Sequence, residues 1–338
     1  MRASKTQPVS SINTAITVIL FAVAAVWLTL QIMAMRTLVA GAVLINPAEV
    51  VNLILGLSGL VVGILYAGGV AGVTMVTTGR RYLGFLKALP RPVTALLGGL
   101  LVALVMAAAG YFVFAQTPGL GVLIAGVAGF AGLLGGGMAA LRSSHLVVAG
   151  LAGTAVLLVV FFLRGYFTPE LLELLGRGIS SYRTLTISSG LVAGLCVGIT
   201  AFLYLRREAP KTGLYGYIGA GAAAGLLWLV GELITQLAAT QLATPNSNGQ
   251  IDLDSLSLQL SAQSQFNGGM TALFAGATTA VLAFGLLTPR QKEVTAAPPT
   301  KKKSSAKKAT TVKPKQSTRP PKGSPARSSA KPTQRRKD

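Results

Sequence analysis

Eight long apolar stretches alternate with short polar segments along the chain, near residues 13–35, 51–78, 93–115, 119–141, 146–163, 185–205, 214–239 and 268–288. About 20 apolar residues carry a helix across roughly 30 Å of hydrocarbon. Inside lipid every backbone N–H and C=O must be satisfied within its own segment, which a helix does. The pattern therefore predicts an all-α integral membrane protein, a bundle of about eight transmembrane helices. It divides the chain into a short N-terminal segment (1–12), a polytopic transmembrane domain (13–288) and a tail (289–338). Arg2 and Lys5 precede the first stretch as they would in a signal peptide. That apolar run is too long for one, and no small-residue cleavage site follows before Arg36, so it reads as an uncleaved first span.

The connections carry signals of their own. Arg142-Ser143-Ser144-His145 separates the fourth and fifth stretches as a tight helical hairpin. Thr168-Pro169-Glu170 has the form of a helix start, with a cap, a proline at the first position and an acid in the first turn. Leu171, Leu172, Leu174, Leu175 and Ile179 then share one face, which predicts a separate amphipathic helix lying in the membrane interface. The polar segment Thr244 to Asn267 is expected to hold a short helix over the bundle. An internal echo joins the second and sixth spans: Ser58-Gly59-Leu60-Val61-Val62-Gly63 matches Ser189-Gly190-Leu191-Val192-Ala193-Gly194 at five of six positions. A duplication of four spans would give parallel repeats, as in some transporters.

Charge separates two materials. Only 12% of residues are charged, yet the net charge is +21. From Arg290 to Asp338 there are 16 Lys and Arg against Glu293 and Asp338, so the tail carries +14 and the remaining chain +7. Lys301, Lys302, Lys303, Lys307, Lys308, Arg335, Arg336 and Lys337 lie among Ala, Ser, Thr and Pro, with nothing to bury, which predicts disorder. Each basic residue near an anionic membrane surface is worth about 1 kcal/mol. The expected partner of the tail is therefore anionic lipid. Nucleic acid or an acidic protein would suit the same charge, but the tail has no aromatic residue to stack on bases. With the N-terminus inside, the short cytoplasmic segments collect ten Lys and Arg and the outer ones hold four, Arg36, Arg164, Arg177 and Arg183. That bias places both termini on the cytoplasmic side of a cytoplasmic (plasma) membrane.

Candidate chemistry is sparse. One cysteine, Cys196, and one histidine, His145, leave no disulfide within the chain, no Cys-based zinc site and no bis-histidine haem. No metal and no cofactor are expected. Gly56-Leu57-Ser58-Gly59 resembles the Gly-x-Ser-Gly nucleophile signature of rhomboid proteases, with His145 as the conceivable base. The spans put Ser58 and His145 near opposite surfaces, and the other histidines and the Trp-Arg loop of that family are missing. Glu232 is the leading candidate for binding a proton or a cationic group, with Gln236 one turn on, because an ionisable side chain in a span is costly and marks function. Arg36, Arg164 and Arg183, at the outer ends of three spans, are candidates for an anionic headgroup. Gly59 and Gly63, then Gly190, Gly194 and Gly198, then Gly221 and Gly225, recur at four-residue spacing and are expected to pack helices closely. At 100° per residue Gly221 and Gly225 fall within about 20° of Glu232, which places Glu232 on a bundle-facing side. Two functions follow from these signals. One is a transporter, permease or flippase for an envelope or lipid-like solute. The other is a non-catalytic assembly or scaffold subunit whose tail binds anionic lipid or an acidic partner. An enzyme is the weaker reading, since no paired nucleophile and base are visible.

Overall fold

A computed structural model describes residues 14–41, 47–114, 118–141, 144–176, 179–242 and 253–287. Among them there is no strand, and eight helices are long and apolar enough to cross a membrane. They are α1 (Thr14–Gly41), α2 (Pro47–Thr74), α3 (Arg91–Val113), α4 (Pro118–Met138), α5 (Ser144–Leu175), α6 (Ile179–Glu208), α7 (Leu214–Leu242) and α8 (Leu253–Leu287). The protein is an all-α membrane bundle with the eight spans expected from its hydropathy. Five of the seven connections have three to five residues and turn consecutive helices antiparallel; residues 75–90 and 243–252 make the two longer ones. The side on which α1 begins is termed near, and the opposite side far.

The helices form two sets of four that repeat one packing pattern. In the first set α2 packs on α1, α3 and α4, and α3 on α4; in the second α6 packs on α5, α7 and α8, and α7 on α8. The second set adds a contact of α5 with α7. A glycine junction recurs in each. A Cβ built on Gly68 or on Gly99 would stand 2.5 Å from the Gly132 carbonyl oxygen, so α2, α3 and α4 meet backbone to backbone. Likewise a Cβ on Gly198 or on Gly221 would stand 2.5 Å from the Gly276 carbonyl oxygen, where α6, α7 and α8 meet. Lipid removes the hydrophobic drive between helices, and close backbone approach supplies dispersion contact in its place.

The two sets meet chiefly where α2 packs on α7 and α5. These central helices are the enclosed ones: 78% of the most apolar window of α2 is buried, against 17% for α8. Aromatic rings fill the seam. Phe161 of α5 stands edge-on to Trp228 of α7 at 4.5 Å and lies 6.5 Å from Trp27 of α1. Gly63 gives Trp27 its place, since a Cβ there would come within 2.5 Å of the indole, and the Trp27 Nε1–H donates to the Gly59 carbonyl at 3.0 Å. A buried indole N–H needs such a partner.

Two local expectations are corrected, and one feature is new. Thr168-Pro169 does not begin a separate interfacial helix: α5 runs on through Pro169 to Leu175 and ends at Gly176, whose φ of 89° is left-handed. Proline within a membrane helix is tolerated where hydroxyls and neighbouring helices take up the disturbed backbone. Here the Thr168 hydroxyl donates to the Arg164 carbonyl at 2.6 Å, so its bond is internal to the helix and caps nothing. The far-side segment before the last span holds no separate short helix over the bundle from residue 253 onward, because α8 begins at Leu253 and continues unbroken into the span. Finally, α2 passes into a π-helical turn, Met75–Gly79, which the apolar pattern of the sequence does not register. A π turn adds a residue without breaking the apolar run.

Candidate functional site

The seam between the two helix sets holds a polar cluster in an otherwise apolar interior. Gly231 brings α7 against α2, since a Cβ there would meet Val62 Cγ2 at 2.5 Å. The next residue, Glu232, is 4% exposed and lies eight residues, about 12 Å, inside the far end of the apolar part of α7. Ser58 of α2, 8% exposed, donates its hydroxyl to Glu232 Oε2 at 2.9 Å. Gln236 Nε2 approaches Oε1 at 3.4 Å, a long bond from one turn along the same helix. Among the described residues no salt bridge reaches this carboxylate. Two neutral donors occupy about half of the four lone-pair positions of a carboxylate. The remaining capacity is what could take a proton or a hydrogen-bond donor of a bound solute.

A second charge is held in a similar way. Arg164 of α5 donates from Nη2 to Thr186 Oγ1 of α6 at 2.8 Å, and Thr186 is 2% exposed. Arg164 lies one turn beyond Phe161 and Glu232 one turn beyond Trp228, in the same direction along two helices that run parallel. The contact of those rings therefore puts the acid and the arginine at similar depth, each bonded to the hydroxyl of a neighbouring span. Arg183 is exposed at the mouth of an open groove between α6 and α8, one turn before Thr186. Arg36 is exposed on α1, in the other helix set.

The glycines have definite partners. Gly59 and Gly63 face Gln31, Trp27 and Leu28 of α1; Gly190, Gly194 and Gly198 face Gly268, Ala272 and Gly276 of α8. Gly221 and Gly225 also face α8, at Gly276 and Leu273, whereas Glu232 faces α2. Glu232 thus lies on a bundle-facing side, as the helical wheel placed it, but it meets α2 and not the helix those glycines touch. α7 is packed on several sides, and its partner changes along its length because crossing helices diverge.

The nucleophile signature around Ser58, against which the placement of His145 already spoke, has another use here: the Ser58 hydroxyl donates to Glu232. His145 lies in the first turn of α5, 16 residues or about 24 Å before Phe161. The signal at Ser58 was a nucleophile-like Gly-x-Ser-Gly run, which marked the residue without saying which group it serves. Thr186, the partner of Arg164, carried no comparable signal. No group of three or more His, Cys, Asp or Glu suited to a metal occurs among the described residues. Lys301, Lys302, Lys303, Lys307, Lys308, Arg335, Arg336 and Lys337 lie outside the described residues. No family model, no curated protein and no solved structure matches the chain.

Proposed function

We propose that the protein is a transporter of the permease or flippase type for a lipid-like envelope solute, working by relative motion of its two four-helix sets. The observation that carries the reading is the Glu232 carboxylate, buried at the seam between the sets and bonded across it to Ser58. Inside a membrane an ionisable group is retained against a substantial desolvation penalty, and such groups characteristically lie on substrate or proton pathways. Repeated halves with a site at their interface are the architecture of alternating access. The polar depth of the seam suits a solute that carries a headgroup through hydrocarbon.

The test is direct. Purified full-length protein is reconstituted into liposomes holding a trace of acyl-labelled fluorescent phosphatidylglycerol, and dithionite is added outside. Inner-leaflet label is expected to become reducible within minutes in protein-bearing vesicles and to stay protected in empty ones. Equal protection in both would remove lipid translocation and favour the scaffold reading.

The near side is proposed to be cytoplasmic, on the ten-to-four bias of Lys and Arg in the short segments. In a Cys196→Ala background, a membrane-impermeant maleimide is expected to label Leu175→Cys in intact cells. Phe85→Cys and Pro210→Cys should react only after permeabilisation. External labelling of Pro210→Cys would invert the orientation.

A further inference from the structure

One concavity stands apart from Glu232. It is a groove of about 720 Å³ on the outer face of the second helix set, between α6 and α8, within the range of small-molecule sites. Its origin is the glycine row. Gly190, Gly194 and Gly198 draw α6 onto the backbone of α8 along one line, while Leu191, Leu195 and Phe274 project beside that line as walls, 47%, 43% and 60% exposed. On α8 the lining runs from Asn267 to Leu282, about 22 Å, more than the half of roughly 30 Å that one leaflet's acyl chains occupy.

The groove is chemically graded. At its far-side end stand Arg183, Asn267 and Thr271; below them the lining is mainly aliphatic and aromatic, with Thr278 and Thr279 its polar members. Thr271 donates its hydroxyl to the Asn267 backbone carbonyl at 2.8 Å, which leaves the Thr271 oxygen free to accept. Among the described residues neither the Arg183 guanidinium nor the Asn267 side-chain amide has a polar partner. The lining contains one cation and no carboxylate.

From this gradient we infer that the α6–α8 groove is a binding site for an anionic glycerophospholipid, its phosphate on Arg183 and Asn267 and one acyl chain along Leu195, Phe274 and Leu282. A guanidinium matches phosphate in charge and fork geometry. A zwitterionic headgroup would bring a quaternary ammonium to a mouth that has no acid to receive it, so the site prefers lipid of net negative charge. The inference is independent of any role for Glu232, which lies at the seam and not in this groove.

Photo-crosslinking tests it. The full-length protein is reconstituted in phosphatidylcholine vesicles with a trace of diazirine-acyl phosphatidylglycerol or diazirine-acyl phosphatidylcholine, at one moderate salt concentration, so that the tail's attraction is common to the parent and the variants. Crosslinks are mapped by peptide mass spectrometry. Phosphatidylglycerol label is expected to concentrate on residues 187–195 and 270–282, above the other lipid-exposed helix faces. Arg183→Gln is expected to lower that labelling about fivefold, the factor corresponding to one basic residue's attraction for anionic lipid, to the level of phosphatidylcholine. Thr278→Trp, which fills the groove from an exposed position, is expected to remove it for both lipids. Uniform labelling of all exposed faces, or a phosphatidylglycerol preference that survives Arg183→Gln, would overturn the assignment.

Discussion

Glu232→Gln is expected to reduce lipid translocation to the level of empty vesicles while the protein folds and purifies as before. The substitution keeps the shape of the side chain and an oxygen that accepts from Ser58, whose hydroxyl now stands 2.9 Å from the carboxylate. It removes only the capacity to carry charge or exchange a proton. The change in stability should stay within about 1 kcal/mol, the net worth of a typical hydrogen bond, and is read from thermal melting by circular dichroism in detergent. Ser58→Ala is the companion variant. It leaves the charge but removes its interhelical donor, and a buried acceptor that loses a partner destabilises by about 1–3 kcal/mol. Its expected effect is therefore a lower melting temperature with translocation reduced and not abolished. A full translocation rate in Glu232→Gln would show that the acid is a packing residue and would move the scaffold reading to first place.

Much of the architecture was legible in the chain because one signal, apolar length, dictates it. Twenty or more apolar residues have no alternative in lipid to a spanning helix, so the eight spans follow from hydropathy. The two sets repeat one packing pattern, with Gly132 and Gly276 at corresponding three-way junctions, but the echo of Ser58-Gly59 in Ser189-Gly190 does not follow it, since Gly59 packs on α1 and Gly190 on α8. The ends of helices were less legible. Thr168-Pro169 carries the chemistry of an N-cap, yet helix continuity through lipid outweighed that local preference. The site was half legible. Glu232 declares itself by sequence alone, as an acid in an apolar run. Its partner Ser58 lies 174 residues away on another span, and periodicity along α7 says nothing about which helix crosses it at that depth. The groove was not legible at all. Arg183 read as one of several terminal arginines, and its place above an apolar cleft depends on glycines of α6 that had been read for packing.

The second large effect follows from the claim that the two helix sets move against each other. Val62 of α2 and Gly231 of α7 meet at the seam, one turn or less from the polar cluster. A Cβ on Gly231 would lie 3.6 Å from Val62 Cα and closer still to Cγ2. Two cysteines there would place their Cβ atoms a little beyond 3.6 Å apart, within the span of roughly 3.5–4.5 Å that a disulfide bridges. Val62→Cys also shortens the side chain that Gly231→Cys would otherwise strike, so the pair fits where the single Gly231 change would not. Built in a Cys196→Ala background, this pair fastens α2 to α7 when oxidised and releases them when reduced.

The most direct measurement of the central claim is fluorescent-lipid translocation by this one sample before and after reduction, read by extraction of outer-leaflet label onto albumin so that no dithionite reaches the disulfide. The oxidised protein is expected to leave inner-leaflet label protected, and reduction is expected to restore the rate of the Cys196→Ala parent. A rate that is the same with the seam locked and unlocked would contradict the account, because transport would then require no motion between the two halves.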